Sequence, residues 1–387
     1  METKTQSSEQ TNQTGKSKVW VVKIGSSVLG GSESINSALM HKLSEQIFIQ
    51  QKKGNKFVLV TSGAISQGMR SLNIKKRPNS IDKLQALASI GQIKIVSAFA
   101  QALESQSLSC AQILLTAEDL RNRKRYLNAK NTINSLLAQG VVPIVNENDT
   151  ISTQSIRFGD NDTLAALVSN LIFANYLLFL TNQKGLYDKD PNKFHEAKLI
   201  EHISSADPKL DSIEGLESKS ALGSGGMKSK INAVKTAALS GTHTIIANGF
   251  DFAVTDNIFN HPHSKGSFFE SAYSAQRAKK LWLAHALEAK GEIEVNLRAS
   301  KALLDSASLL AVGIVGAQGS FRKGDLVVIS TQKTSKDPSV EIARGISNYS
   351  AKEIEQIKGL NTKDILSKFG FDEQVVVHRD NMMIAGF

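Results

Sequence analysis

The stretch from Arg157 to Asn170, "RFGDNDTLAALVSN", sets Asp160 and Asp162 on either side of Asn161, after Gly159 and before an apolar run. Asp and Asn are preferred helix N-caps, and carboxylates suit the positive end of the helix dipole. Taken alone, the trio reads as a helix start. A second stretch, "GSGGMKSK" from Gly223 to Lys230, joins a glycine-rich turn, a helix N-terminus and two lysines. Free N–H groups at a helix start bind anions, and glycine lets the backbone approach them closely. The P-loop pattern G-x-x-x-x-G-K-[ST] occurs nowhere in the chain, and a plain loop explains the glycines alone as readily as a phosphate site does. Lys23, near the end of the first β-type run, adds a third cation and favours phosphate as the anion.

The missing motifs narrow the chemistry. H-E-x-x-H, G-x-S-x-G and multi-cysteine patterns are absent, and no G-x-G-x-x-G follows the first strand. None of the eight histidines stands at a strand end of the first 250 residues, so a histidine base is not suggested. A reaction without a base fits: phosphoryl transfer to a carboxylate, whose pKa of about 4.3 leaves it ionised at neutral pH. The protein then has only to align donor and acceptor and neutralise developing charge.

The elements that would position these groups follow a regular alternation. Buried-strand runs at 19–25, 56–64, 109–116, 141–149, 175–185 and 242–249 alternate with helical patterns at 34–54, 82–106, 126–139, about 160–174 and 226–241. Continuous apolar strands between helices imply an α/β/α sandwich with a mainly parallel sheet. Ligands of such sheets bind beyond the carboxyl ends of the strands. There the sequence places Lys23-Ile24-Gly25-Ser26-Ser27, Thr61-Ser62-Gly63-Ala64, Asn146-Glu147-Asn148-Asp149, Thr181-Asn182-Gln183-Lys184-Gly185 and Asn248-Gly249. Each is ordinary turn chemistry by itself; five on one edge favour an anion-binding site.

After about residue 260 the pattern changes. "NHPHSKGSFFESAYSAQRAKK" reads as a polar connection, its "HPH" histidines as loop residues. Short β-type runs broken by glycine follow ("GEIEVN", "SLLAVGIVGAQG", "GDLVVIS", "SVEIARGISN", "QVVVHRDNM") and suggest a small β-rich domain. The 387 residues are 41% apolar and 21% charged, with one cysteine, Cys110, which excludes an internal disulfide. No apolar run reaches the roughly 18 residues of a membrane span, and the polar N-terminus lacks the apolar core of a secretory signal. A cytoplasmic location is expected. A net charge of +10 leaves nucleic acid open as a partner and equally suits an anionic small molecule. The short basic runs at 75–77 and 121–125 read as solvated surface.

In order along the chain, "VVKIGSSVL", "VTSGAISQG", "ASIGQ", "QILLT", "VVPIVNENDT", "FGDNDTLAALV", "LTNQKGLY" and "GSGGMKSKINA" together resemble the amino-acid kinase family. Within it, they are similar to the members that phosphorylate the γ-carboxylate of L-glutamate in the first step of proline synthesis. The "NEND" and "GDND" pair is more specific than any one glycine loop. Residues from about 289 resemble a PUA domain, a module also found in RNA-modifying enzymes. The implied division is a disordered leader at 1–17, a kinase domain at 18–258, a linker at 259–288, a PUA-like domain at 289–368 and a C-terminal segment at 369–387.

The resemblance also implies roles. Lys23 and Lys230 would contact ATP phosphates and stabilise the moving phosphoryl group, with Asp162 holding both lysines. Ser224, Gly225, Gly226, Met227, Lys228, Ser229 and Lys230 would cradle the nucleotide, with Thr181 and Asn182 beside it. Asp149 would meet the substrate ammonium, Ser62 and Asn161 would donate to its carboxylates, and Asp160 would add a contact. Family members usually have Thr-Asp where this chain has Thr181-Asn182, so a weaker or altered ribose or base contact is expected. Mg²⁺ is implied as the partner of ATP, with no all-protein metal cage. A homo-oligomer, dimer or tetramer, and feedback inhibition by proline are implied too, with 70–82 as a mobile loop affecting that response. Two readings compete: an RNA-binding protein, whose affinity would depend strongly on salt, and a kinase for another small carboxylate such as aspartate.

Overall fold

The computed structural model describes residues 17–30, 34–152, 161–213, 226–273, 289–305, 307–332, 339–370 and 375–384. Nearly all of the proposed leader, half of the linker, and the site residues Asp160, Ser224 and Gly225 lie outside the described residues.

The first sheet is built from β1 (Val19–Ile24), β2 (Lys56–Val60), β3 (Cys110–Leu115), β4 (Val142–Glu147), β5 (Tyr176–Thr181), β6 (His202–Ser204), β7 (His243–Asn248) and β8 (Ser267–Glu270). Its order is β3-β4-β2-β1-β5-β7-β8-β6. Every pairing is parallel except β7 with β8. The helices among these strands are α1 (Ser37–Lys52), α2 (Ala64–Ser71), α3 (Ile81–Glu104), α4 (Ala117–Arg121), α5 (Arg123–Ala138), α6 (Asn161–Ile172), α7 (Lys209–Ser212), α8 (Met227–Ala238) and α9 (Phe252–Asn257).

The twofold alternation of side chains along a strand divides the core. Trp20, Val22 and Ile24 of β1 face one cluster with Leu39, Leu43 and Ile47 of α1 and Ile95 and Phe99 of α3. Val21 faces the other, with Ile133 of α5, Leu164 and Val168 of α6, and Ile231 and Val234 of α8. Lys23 follows Val21 on that second side, which directs it towards α6 and α8. Both faces of the sheet are thus covered, as continuous apolar strands require.

Helix α3 is long and apolar enough, by length and composition alone, to cross a bilayer. Counting uninterrupted apolar runs overlooks it because Gln85, Ser89, Gln92 and Lys94 break the run. In the fold its Leu84, Leu87, Ile95, Phe99 and Leu103 are buried. It also crosses α2 closely: a Cβ on Gly91 would overlap the Ala64 carbonyl, and one on Gly68 the Leu87 carbonyl.

Two boundaries need correction. The connection expected at 259–288 contains β8, which joins the first sheet with Phe268 and Phe269 buried. Four residues inside a polar stretch carry too little periodicity to announce a strand. The second sheet, ordered β10-β9-β11-β12-β13, contains β9 (Gly291–Val295), β10 (Ile314–Gly319), β11 (Leu326–Thr331), β12 (Glu341–Ile346) and β13 (Met382–Ile384). Its last strand lies beyond 368, in the segment expected to follow the domain, and pairs with β12. Of the described residues of "QVVVHRDNM", Met382 alone enters that strand; Val376 and Val377 instead bury their side chains in the core beside Leu309. Helices α10 (Leu297–Leu304), α11 (Ala351–Ile357) and α12 (Thr362–Phe369) complete this unit, whose core is its own.

Candidate active site

The carboxyl ends of β1, β2, β4 and β5 collect the polar residues, and the starts of α6 and α8 face them. Lys23 Nζ lies 2.7 Å from Asp162 Oδ1, and Lys230 Nζ lies 3.0 Å from Asp162 Oδ2. All three are buried, Asp162 to 1% exposure. Burial pushes the Asp162 carboxyl up, but the Lys23 and Lys230 ammonium groups outweigh it and hold the carboxyl below its ordinary value. Two ammonium groups held on one ionised carboxylate in a desolvated place suit the binding of an anion.

Local structure explains the convergence. Asp162 stands in the first turn of α6, where a carboxylate is favoured. Lys230 stands in the first turn of α8, its N–H reaching the carbonyl of the cap residue Gly226 at 3.4 Å. Gly25 ends β1 in a tight turn: its N–H donates to the Leu180 carbonyl at 3.0 Å, and its own carbonyl accepts from Val28 and Leu29. Thr181 and Asn182 end β5, the neighbour of β1, with Thr181 Oγ1 donating to Asn182 Oδ1 at 3.2 Å. Met227 is half-buried and Lys228 exposed at the start of α8.

A second cluster surrounds Asn161. Its Nδ2 donates to the Thr61 carbonyl at 2.6 Å and to Asn146 Oδ1 at 2.8 Å. Asn146 Nδ2 in turn donates to Gln92 Oε1 at 2.6 Å. The Ser62 hydroxyl donates to the Ile24 carbonyl at 2.9 Å. Asn161 and Ser62 were expected to donate to a substrate; here their side-chain hydrogens are directed to partners within the protein. Gln92 and Asn146 were assigned no role from sequence. Both stand in the quoted runs "ASIGQ" and "NEND", which was the available signal.

Asp149 follows β4. Burial and the adjacent Glu147 carboxylate push its carboxyl up to about 6, against the opposing pull of Arg77. Among the described residues, no group of three or more His, Cys, Asp or Glu side chains is placed to hold a metal ion.

Comparison with known proteins bears on the family of the chain. The model of the amino acid kinase family matches residues 18–248, and that of the PUA domain matches 291–369. A glutamate 5-kinase of Halorhodospira halophila is 40% identical over 369 residues, covering 94% of this chain and 96% of that protein. One from Pseudomonas putida is 43% identical over 370 residues, covering 95% and 98%. A solved carbamate kinase from Giardia lamblia bound to AMP-PNP superposes with a TM-score of 0.47 at 13% identity, covering 66% of this chain and 99% of that one. The chain belongs to the amino acid kinase family, in the branch of its glutamate 5-kinase relatives, and it is a kinase that carries a PUA domain.

Proposed function

We propose that the chain transfers the γ-phosphoryl group of ATP to the γ-carboxylate of L-glutamate, giving γ-glutamyl 5-phosphate and ADP, the first step of proline biosynthesis. The observation that carries this reading is the buried pair of lysines on Asp162, set in a chain similar to glutamate 5-kinases along almost its whole length. A carboxylate oxygen attacks the γ-phosphorus in line, and the bond to the bridging oxygen breaks with its electron pair passing to ADP. No proton has to move, in keeping with a site whose cations neutralise charge.

In this reading Lys23 and Lys230 stabilise the transferring group, and Asp162 fixes both ammonium groups. Gly226, Met227, Lys228 and Ser229, with Ser224 and Gly225, hold the ATP phosphates at the start of α8; Thr181 and Asn182 lie beside the nucleotide. Asp149 binds the substrate ammonium, with Asn161, Ser62 and Asp160 as further contacts. Mg²⁺ arrives with the nucleotide, held mainly by phosphate oxygens and water. Proline as feedback inhibitor, a homo-oligomer and a cytoplasmic location belong to the same proposal.

ATP-dependent acyl phosphate trapped with hydroxylamine tests the reading, using glutamate against aspartate with and without Mg²⁺. A Mg²⁺-dependent product from glutamate alone is expected. No product from folded protein, or equal product from aspartate, would overturn it.

A further inference from the structure

The amino edge of the first sheet, opposite the candidate active site, carries a cavity of about 330 Å³ bordered by Lys18, Phe173, Asn175, Tyr176, His243 and Tyr273, among others. Lys18 precedes β1, Tyr176 opens β5 and His243 opens β7. Along β5 the chain runs from Tyr176 here to Thr181 at the carboxyl edge, at about 3.3 Å per residue. The cavity is therefore no part of the site around Asp162.

Its polar side chains are donors, and backbone partners fix two of them so. The Ser271 N–H donates to His243 Nδ1 at 3.1 Å, which places the proton of the neutral ring on Nε2. Burial holds His243 below its ordinary value and favours that neutral form. The Val19 N–H donates to Asn175 Oδ1 at 2.7 Å, which leaves Asn175 its NH₂. Lys18 adds an ammonium group, 5.3 Å from the centre of the Tyr176 ring, that meets no carboxylate among the described residues. None of the described residues bordering the cavity is acidic.

The rest of the wall is aromatic. The Tyr176 ring is backed by Trp20, with ring centres 4.3 Å apart. Phe173 follows α6 with a φ of +51°. Its N–H reaches the Asn170 carbonyl at 3.4 Å, and the Ala174 N–H reaches the Ser169 carbonyl at 2.9 Å, which closes the helix end. Such a left-handed residue is usually glycine, because a Cβ is disfavoured there. The turn itself gains nothing from phenylalanine; what the side chain adds is a half-buried ring at the cavity, with Lys130 Nζ 4.7 Å from its centre.

We propose that this cavity binds a small carboxylate carrying a flat apolar group. The carboxylate meets Lys18, His243 Nε2 and Asn175 Nδ2, and the apolar part lies against Phe173, Tyr176 and Tyr273. The proposal is independent of which substrate the carboxyl edge of the sheet phosphorylates.

Phenylacetate is the probe, titrated by calorimetry into the full-length protein beside acetate, which lacks the ring, and benzyl alcohol, which lacks the charge. Phenylacetate should saturate one site per chain and bind about tenfold or more tighter than either. Lys18→Gln, which removes the ammonium group, and Phe173→Gly, which removes the ring, should each weaken it about tenfold. Glycine suits the left-handed turn, so Phe173→Gly does not oppose the helix end. Thermal melts report folding, and Lys18→Gln decides alone if the glycine variant does not fold. No saturable binding by the wild type, equal affinity for the three probes, or an affinity unchanged in either folded variant would overturn the proposal.

Discussion

Lys23, from the first strand of the chain, and Lys230, from a helix near the end of the first domain, bind the two oxygens of the same Asp162 carboxylate at 2.7 and 3.0 Å. The contact ties the carboxyl end of β1 to the starts of α6 and α8. The group that organises the cations also closes the fold around them, so stability and catalysis meet in one side chain. Asp162→Asn should reveal this by leaving two buried ammonium groups facing a neutral amide. Removing one partner of a buried ion pair costs about 3–5 kcal/mol, and denaturant melts at neutral pH should show a loss of that order. The sign with pH follows from the lowered carboxyl. Its folded value lies below the ordinary 3.8, so its contribution is full above that value and is lost as pH falls through the folded one. The stability gap between wild type and variant should therefore close in strong acid. A gap that persists there would refute the electrostatic account.

The lysines themselves should matter most to turnover. Lys23→Ala and Lys230→Ala each remove a fixed cation from the transferring group, a loss of about 10²–10³ in kcat for one such donor. Hydroxylamine-trapped product at saturating ATP and glutamate measures it. A variant with full kcat and only a raised KM for ATP would reduce that lysine to a nucleotide anchor.

Asp149 should make glutamate binding sensitive to pH. Burial and the neighbouring Glu147 push its carboxyl up to about 6 in the free protein. An ammonium ligand requires the ionised form, so KM for glutamate should rise as pH falls below about 6. Asp149→Asn should raise KM above about pH 6 and flatten this dependence, the two proteins converging below it. An Asp149→Asn variant with the wild-type pH profile would show that another group controls it.

The parallel sheet was legible because its strands are continuous apolar runs separated by amphipathic helices. β8 was not, since Ser267–Glu270 is short and lies among polar residues. Lys23, Asp162 and Lys230 carry no mutual spacing rule; family resemblance singled them out, and the fold then placed them around one carboxylate. Gln92 illustrates what a linear reading misses. A polar residue on a long helix looks solvated until Gly68 and Gly91 allow α2 and α3 to close and bury it. The polarity of Asn161 is likewise set by partners distant in sequence, Thr61 and Asn146. Spacing within "GDND" could not reveal it.

Asn182, exposed after β5, should bear on nucleotide rather than on amino acid. Asn182→Asp restores the charge usual in the family and should lower KM for ATP a few-fold, about 1 kcal/mol, as expected of a hydrogen bond gaining charge. KM for glutamate should stay the same. Unchanged ATP affinity would mean that the amide already serves as well as a carboxylate would.

The crossing of α2 and α3 gives the last prediction. A methyl group on Gly91 would overlap the Ala64 carbonyl and crowd the Gly68 N–H, backbone atoms that cannot rotate aside. Accommodating it must separate the helices, at about 1–3 kcal/mol for an overpacked site. α2 begins just after Ser62 and Gly63, and α3 carries Gln92, so the same displacement loosens the amino-acid side of the site. Gly91→Ala should therefore lower the melting temperature and raise KM for glutamate more than KM for ATP, whose proposed contacts lie at β1, β5 and α8. Gly140 supplies the contrast. A Cβ there meets nothing within 4 Å, but its φ of +74° disfavours alanine, so Gly140→Ala should cost stability with both KM values unchanged. Equal effects of Gly91→Ala on the two substrates would show that the crossing supports the fold as a whole and not the amino-acid pocket in particular.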